Sequence, residues 1–119
     1  MVLQEKLHTV DEFLEYINRP ELAERQFELH EAVIVEMPSS SKKNTVLEAW
    51  LITLLNIFIV PKDLGVVTSP DGGFKINERN YLQPDVSFIR HERTGGLEGV
   101  EFPVCPDLAI EVISPSESA

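Results

Sequence analysis

Two acidic residues stand in stretches that otherwise read as apolar strands. Asp85 follows Pro84 at the head of Val86-Ser87-Phe88-Ile89, and Glu111 lies inside residues 107–113. Side chains on a strand alternate faces, so Leu108, Ile110 and Val112 share one face and Ala109, Glu111 and Ile113 the other. One carboxylate is thereby aimed into an apolar surface. Isolated buried charge is costly, so Glu111 must be neutralised, paired with a cationic side chain or bound to a metal ion. If the two strands are neighbours, Asp85 and Glu111 can share a cation. Plainer roles stay open on pattern alone: Asp85 or Asp107 as turn residues, and Glu111 paired with an Arg or Lys elsewhere.

Three further residues are candidates with competing structural roles. Glu28 lies in residues 27–37, which read as one strand or as a hairpin turning near residues 30–32, and a strand acid is ordinarily solvated, as is His30. Glu48 closes Thr45-Val46-Leu47-Glu48, the Thr-x-x-Glu form of a capping box, and that role suffices to explain it. Lys75, between Phe74 and Ile76, is either a solvated strand lysine or a cation facing Asp85 from an adjacent strand.

Composition bounds these choices. With 119 residues, 43% of them hydrophobic, the chain fits one small domain spanning 1–119. Ten basic against twenty acidic residues give a formal charge of -10, which argues against broad nonspecific binding to a polyanion and leaves only local or metal-mediated contact with nucleic acid. The single Cys105 has no partner for a disulfide and no ligand spacing for structural zinc. Together with an N-terminus that lacks a signal-peptide pattern, this predicts a reduced, cytoplasmic setting.

The elements that would position the acids follow from local signals. Thr9-Val10-Asp11-Glu12 is a capping box opening a helix over residues 10–18. The second helix is predicted to start at Thr45, run to Pro61, and form a core helix on a sheet face built from Val33, Val35, Phe88 and Ile110. Its apolar run, residues 49–60, is shorter than the roughly 18 residues a bilayer requires, so no membrane span is expected. Residues 64–68 and 74–76 are predicted strands joined as a hairpin by Asp71-Gly72-Gly73, residues 77–81 a further turn, and residues 90–99 an exposed loop. Ser114-Pro115-Ser116-Glu117 announces another helix. The order of elements predicts an α+β fold, a mixed sheet flanked by helices mainly on one side.

The Thr-Val-Asp-Glu-Phe helix start, Phe27-Glu28-Leu29 leading to Met37-Pro38, the Asp71-Gly72-Gly73-Phe74 turn, Gln83-Pro84-Asp85-Val86, and the run from Cys105 through Ser116 occur in an order that resembles the Uma-type family of restriction-endonuclease-like proteins in the PD-(D/E)XK superfamily. The resemblance implies a restriction-endonuclease-like core acting on DNA with Mg2+ or Mn2+. It places the metal ligands at Asp85, Glu111 and the backbone carbonyl of Val112, with Glu28 as an additional site residue. Two departures matter. Asn44 stands where many members carry a histidine, and Ile113 stands where a Glu-x-Lys motif has lysine. In this family that lysine falls in the helix after Ser-Pro-Ser, so the chain resembles the first two thirds of the family and is expected to be an incomplete domain. Impaired catalysis is the consequence expected of the missing lysine, and self-association, with a homodimer as one form, or marginal stability that of an uncovered sheet. A noncatalytic binding module or a decayed remnant is the alternative.

Overall fold

The computed structural model describes residues 6–113. Helix α1 (Val10–Ile17) starts as its sequence dictates: the Thr9 hydroxyl accepts from the Glu12 amide and the Glu12 carboxylate accepts from the Thr9 amide. It packs Val10 and Phe13 onto Phe27, Leu29 and Tyr81, forming the principal core. Strands β1 (Gln26–His30) and β2 (Val33–Met37) form a hairpin. Helix α2 (Lys42–Lys62) follows, then β3 (Gly65–Thr68), β4 (Gly73–Asn77), β5 (Asn80–Leu82), β6 (Val86–Arg90), β7 (Glu101–Phe102) and β8 (Leu108–Ile110).

The strands form two sheets, not one. Five run in the order β2-β1-β5-β4-β7, with only β4 and β7 parallel, and three in the order β3-β6-β8, all antiparallel. This corrects the expected hairpin at Asp71-Gly72-Gly73, because β3 and β4 belong to different sheets. The glycines are needed for close approach. A Cβ on Gly73 would collide with the Tyr81 hydroxyl, and one on Gly72 would lie 2.7 Å from Thr68 Cβ. The hairpin partner of β4 is β5, across the turn predicted at residues 77–81.

Helix α2 departs from expectation at both ends and along its face. It begins a turn early: Ser41 is the cap, accepting from the Asn44 amide, while Thr45 Oγ1 donates back to the Lys42 carbonyl. Pro61 lies inside its last turn, and Asp63 ends it in the left-handed conformation. The helix packs on β3 and β6, so Val33 and Val35, in the other sheet, do not form its seat. A core helix it is not, since Trp50, Leu54, Ile57 and Phe58 are each more than half exposed. At 21 residues it is long and apolar enough by composition to cross a membrane, so the length argument above fails. Its inner stripe, however, carries the buried Asn44 and Glu48, and it lies on a sheet.

The β1–β2 loop is the strained point of the backbone. Glu31 and Ala32 both have positive φ, 47° and 69°, which side chains with a Cβ resist. The loop is held by its neighbours: the Ala32 amide donates to the Arg79 carbonyl at 2.8 Å and the Glu31 amide to Asn80 Oδ1 at 2.9 Å. A two-residue loop of this kind favours Asn-Gly. Replacing Glu31-Ala32 with Asn-Gly should therefore raise stability by about 1 kcal/mol, seen as a melting temperature a few degrees higher. A lower one would mean that the buried Ala32 methyl outweighs the backbone relief.

Candidate functional site

The ladder of β6 and β8 assembles the acids. Val86 faces Ile110, Ser87 faces Ala109 and Phe88 faces Leu108. Asp85 and Glu111 are the next residues outward on the two chains, so the register sets them opposite one another on one face. The Val112 amide donates to Asp85 Oδ2 at 2.6 Å and fixes that carboxylate. The expected seven-residue strand is thus only three residues long in its ladder, and Glu111 lies just beyond its end.

A cleft of about 140 Å³ opens at this end, lined by both acids and Val112, by Gln83 and Gln26, by residues 37–40, and by Asn44 and Glu48 from α2. Among the described residues no Lys, Arg or His lines it. Larger cavities exist elsewhere on the molecule, but none of them is bordered by Asp85 or Glu111. Desolvation, then the charges of Asp85 and Glu28, and a hydrogen bond with the Asp85 side chain push Glu111 up to about 7, against an opposing bond from the Asp85 backbone. The residue as a whole remains exposed, so proximity to like charge is the firmer cause. Glu48 is raised by burial and by the charge of Asp85, only partly offset by Ser40.

The opposite end of the same ladder behaves otherwise. Asp107 accepts from the Arg90 amide at 2.8 Å and pairs with Arg90 Nε at 3.2 Å and Arg93 Nη1 at 2.9 Å. Those partners hold its carboxyl below the usual range. Asp107 is a structural clamp between Arg90 and Arg93, not merely the turn residue its position suggested, whereas Asp85 and Glu111 have no such cation among the described residues.

Glu28 is buried, at 7% exposure, not solvated. Its Oε1 meets His30 Nε2 at 2.7 Å and its Oε2 accepts from the Gln83 amide at 2.7 Å. It approaches Glu111 closely enough to raise it, yet does not line the cleft. His30 remains partly open to solvent but ties Glu28 down. Lys75 pairs with Glu78 at 2.9 Å on the other sheet and plays no part in the cleft, the solvated-lysine alternative. Glu48 is the residue that sequence reasoning placed wrongly: freed from capping, it faces the cleft. The missed signal was Ser41, an equally good cap one turn earlier. The helix announced at residues 114–117, and any lysine after it, lie outside the described residues.

Among the described residues no group of three or more His, Cys, Asp or Glu stands ready to hold a metal ion. The donor set nevertheless suits a hard divalent cation, which takes oxygen ligands and carboxylates above all. A buried Glu48 Oε2 without a hydrogen-bond partner also borders the cleft.

Comparison with known proteins follows this geometry. The family model Uma2, described as "Putative restriction endonuclease", matches residues 10–119. Among solved structures the chain is similar to a "putative nuclease belonging to DUF820" from Anabaena variabilis, with a TM-score of 0.78 and 23% identity over 92% of this chain and 60% of that one. The likeness shows a shared α+β fold, of which this chain spans 60% of the neighbour's length. No curated protein matches.

The raised Glu111 makes a signed prediction. In the metal-free protein the folded state keeps the Glu111 proton up to about pH 7, while the unfolded chain releases it near the ordinary glutamate value of about 4.3. The unfolded state then binds fewer protons across that window, so this group's contribution to stability falls as pH rises through it and levels off above. Thermal melts in EDTA should show wild type losing stability relative to Glu111→Gln between those limits; parallel curves would remove the like-charge environment assigned to Glu111.

Proposed function

The chain belongs to the Uma2 family, and on that footing we propose that it is a metal-dependent endonuclease that hydrolyses DNA phosphodiesters, with Asp85 and Glu111 as its catalytic carboxylates. The observation that carries this reading is the pair of carboxylates set opposite each other at one ladder end, in a cleft without a cationic side chain. Asp85, Glu111 and the Val112 carbonyl would hold Mg2+ or Mn2+. Bound there, such an ion polarises a phosphoryl oxygen and lowers the pKa of a water molecule.

The remaining work falls to the chain itself. The Val112 amide fixes the Asp85 carboxylate, leaving its second oxygen for a ligand. Glu28 holds the Gln83 amide, two residues before Asp85, and so acts as a positioning residue that aims the Pro84-Asp85 segment. Lys42 and Lys43, both exposed, occupy the first turn of α2 between Ser40 and Asn44, which line the cleft. They supply the local phosphate contact that a chain of charge -10 otherwise lacks. No lysine or arginine lines the cleft itself to stabilise developing charge, and lack of one such group costs on the order of 100-fold to 1000-fold. Slow hydrolysis by these 119 residues is therefore part of the proposal.

Self-association belongs to the same reading. The apolar face of α2 is exposed, with Trp50 at 65% and Ile57 at 67% exposure, and a contiguous apolar face of this kind marks an interaction surface. A second copy is its proposed occupant, because two such faces would cover each other's aromatic and aliphatic side chains. Sedimentation velocity should find dimers that Trp50→Glu disperses; a wild-type monomer at high concentration would remove this part.

For the site, Mn2+ or Mg2+ should raise the melting temperature, because a ligand of the folded state stabilises it by mass action. Asp85→Asn should abolish that response, and supercoiled plasmid should be nicked slowly by wild type and not by Asp85→Asn. Metal binding without any nicking would favour a noncatalytic binding module. A response that survives in Asp85→Asn would move the metal elsewhere.

A further inference from the structure

Glu48 is not used by that reading, yet it borders the same cleft from the opposite wall. It is 3% exposed, one turn beyond Asn44 on the inner stripe of α2. Its Oε1 lies 3.5 Å from Ser40 Oγ, at the far limit of a hydrogen bond, and its Oε2 has no partner among the described residues. Buried carboxylates are normally saturated by donors or cations, because an unpartnered buried oxygen forfeits its hydration with no return. The structural role that would excuse it is absent, since Ser41 caps the helix and Thr45 bonds to Lys42. No basic side chain lines the cleft to pair with it.

We propose that Glu48 is a third carboxylate of the cation site, with its free Oε2 supplying an oxygen ligand from α2 to a divalent ion shared with Asp85 and Glu111. The proposal rests on the cation-site reading above and adds a ligand from a separate element, so that one ion joins the helix to the β6–β8 end. Among the described residues the three carboxylates are not gathered where they could hold an ion as they stand, so binding would have to draw them together against the repulsion of like charges. The added charge raises the affinity of an oxygen site for a hard cation, and offsets in part what the cleft lacks in protein cations.

Mn2+ titration by calorimetry, above the titration range of Glu111, tests this on the 119-residue chain, with melts of each variant in EDTA. Glu48→Gln keeps the shape and removes the charge. It should weaken Mn2+ binding about 10-fold or more, the loss typical of disturbing a metal site, while its melting temperature in EDTA stays level or rises because like-charge repulsion is relieved. Glu48→Asp, which keeps the charge but withdraws the oxygen by one methylene, should bind with intermediate affinity. Wild-type affinity in both Glu48 variants, with binding lost in Asp85→Asn, would overturn the role of Glu48 alone. Wild-type affinity in Asp85→Asn as well would overturn the cation-site reading itself. A Glu48→Gln protein that melts lower in EDTA would identify a structural carboxylate and also overturn the proposal.

Discussion

The pairing of β6 with β8 is the interaction on which the site depends. An antiparallel ladder sets residues opposite in strict register, so the three pairs from Phe88–Leu108 to Val86–Ile110 leave Asp85 no choice but to face Glu111. The ladder has an acid at each end, and the two ends differ only in their company. Asp107 is surrounded by the Arg90 amide and two guanidinium groups, whereas Asp85 has a single amide donor from Val112 and two acidic neighbours in the cleft. The first arrangement fastens the strands together. The second holds charge apart from any counter-charge, which costs stability and is the usual mark of a site built to receive something.

The two sheets must be fixed relative to each other for that arrangement to hold, and Glu28 helps to do it. It belongs to β1, in the five-stranded sheet, but its Oε2 accepts from Gln83, where the chain leaves β5 for β6. With Oε1 bound to His30, the buried carboxylate has both oxygens engaged. Removing either partner would leave a buried acceptor exposed to no solvent, which is more costly than the bond is worth. The passage from Leu82 to Val86 is thus tied at Gln83 from one sheet and at Asp85 from the other.

Legibility in the sequence followed the range of the interactions concerned. The capping box at Thr9 and Glu12 was readable because both bonds close within three residues. The alternation around Glu111 and the Pro-Asp start of β6 were readable because a strand period needs no partner to be seen, and the pairing of those two strands was a matter of one assumption. Glu48 was not readable. Ser41 and Thr45 are both good caps, one turn apart, and nothing local to either says that Ser41 is the one used. Nor could the glycines at 72 and 73 be interpreted locally, because a tight turn and a close approach to Tyr81 leave the same signature. The apolar outer face of α2 misled for a related reason: hydrophobicity says that a face should be covered, but not by what.

On the proposed reading, a chain of charge -10 that meets a polyanion faces a conflict that placement of its charges would resolve. Cut off by salt within about 10 Å, most of its acids do not act on a ligand at the cleft, so the local balance decides the encounter. Lys42 and Lys43 lie on the first turn of α2, where unpaired amides add the positive end of the helix dipole. Inside the cleft the balance is set by carboxylates, which repel phosphate unless cations intervene. The same helix therefore presents attraction at its exposed start and, one turn further along its buried stripe, Glu48. On the proposed reading, binding of an anion and binding of a cation would be coupled through one element: the acids would exclude phosphate from the cleft until an ion neutralised them, and Lys42 and Lys43 would then hold the backbone near that ion.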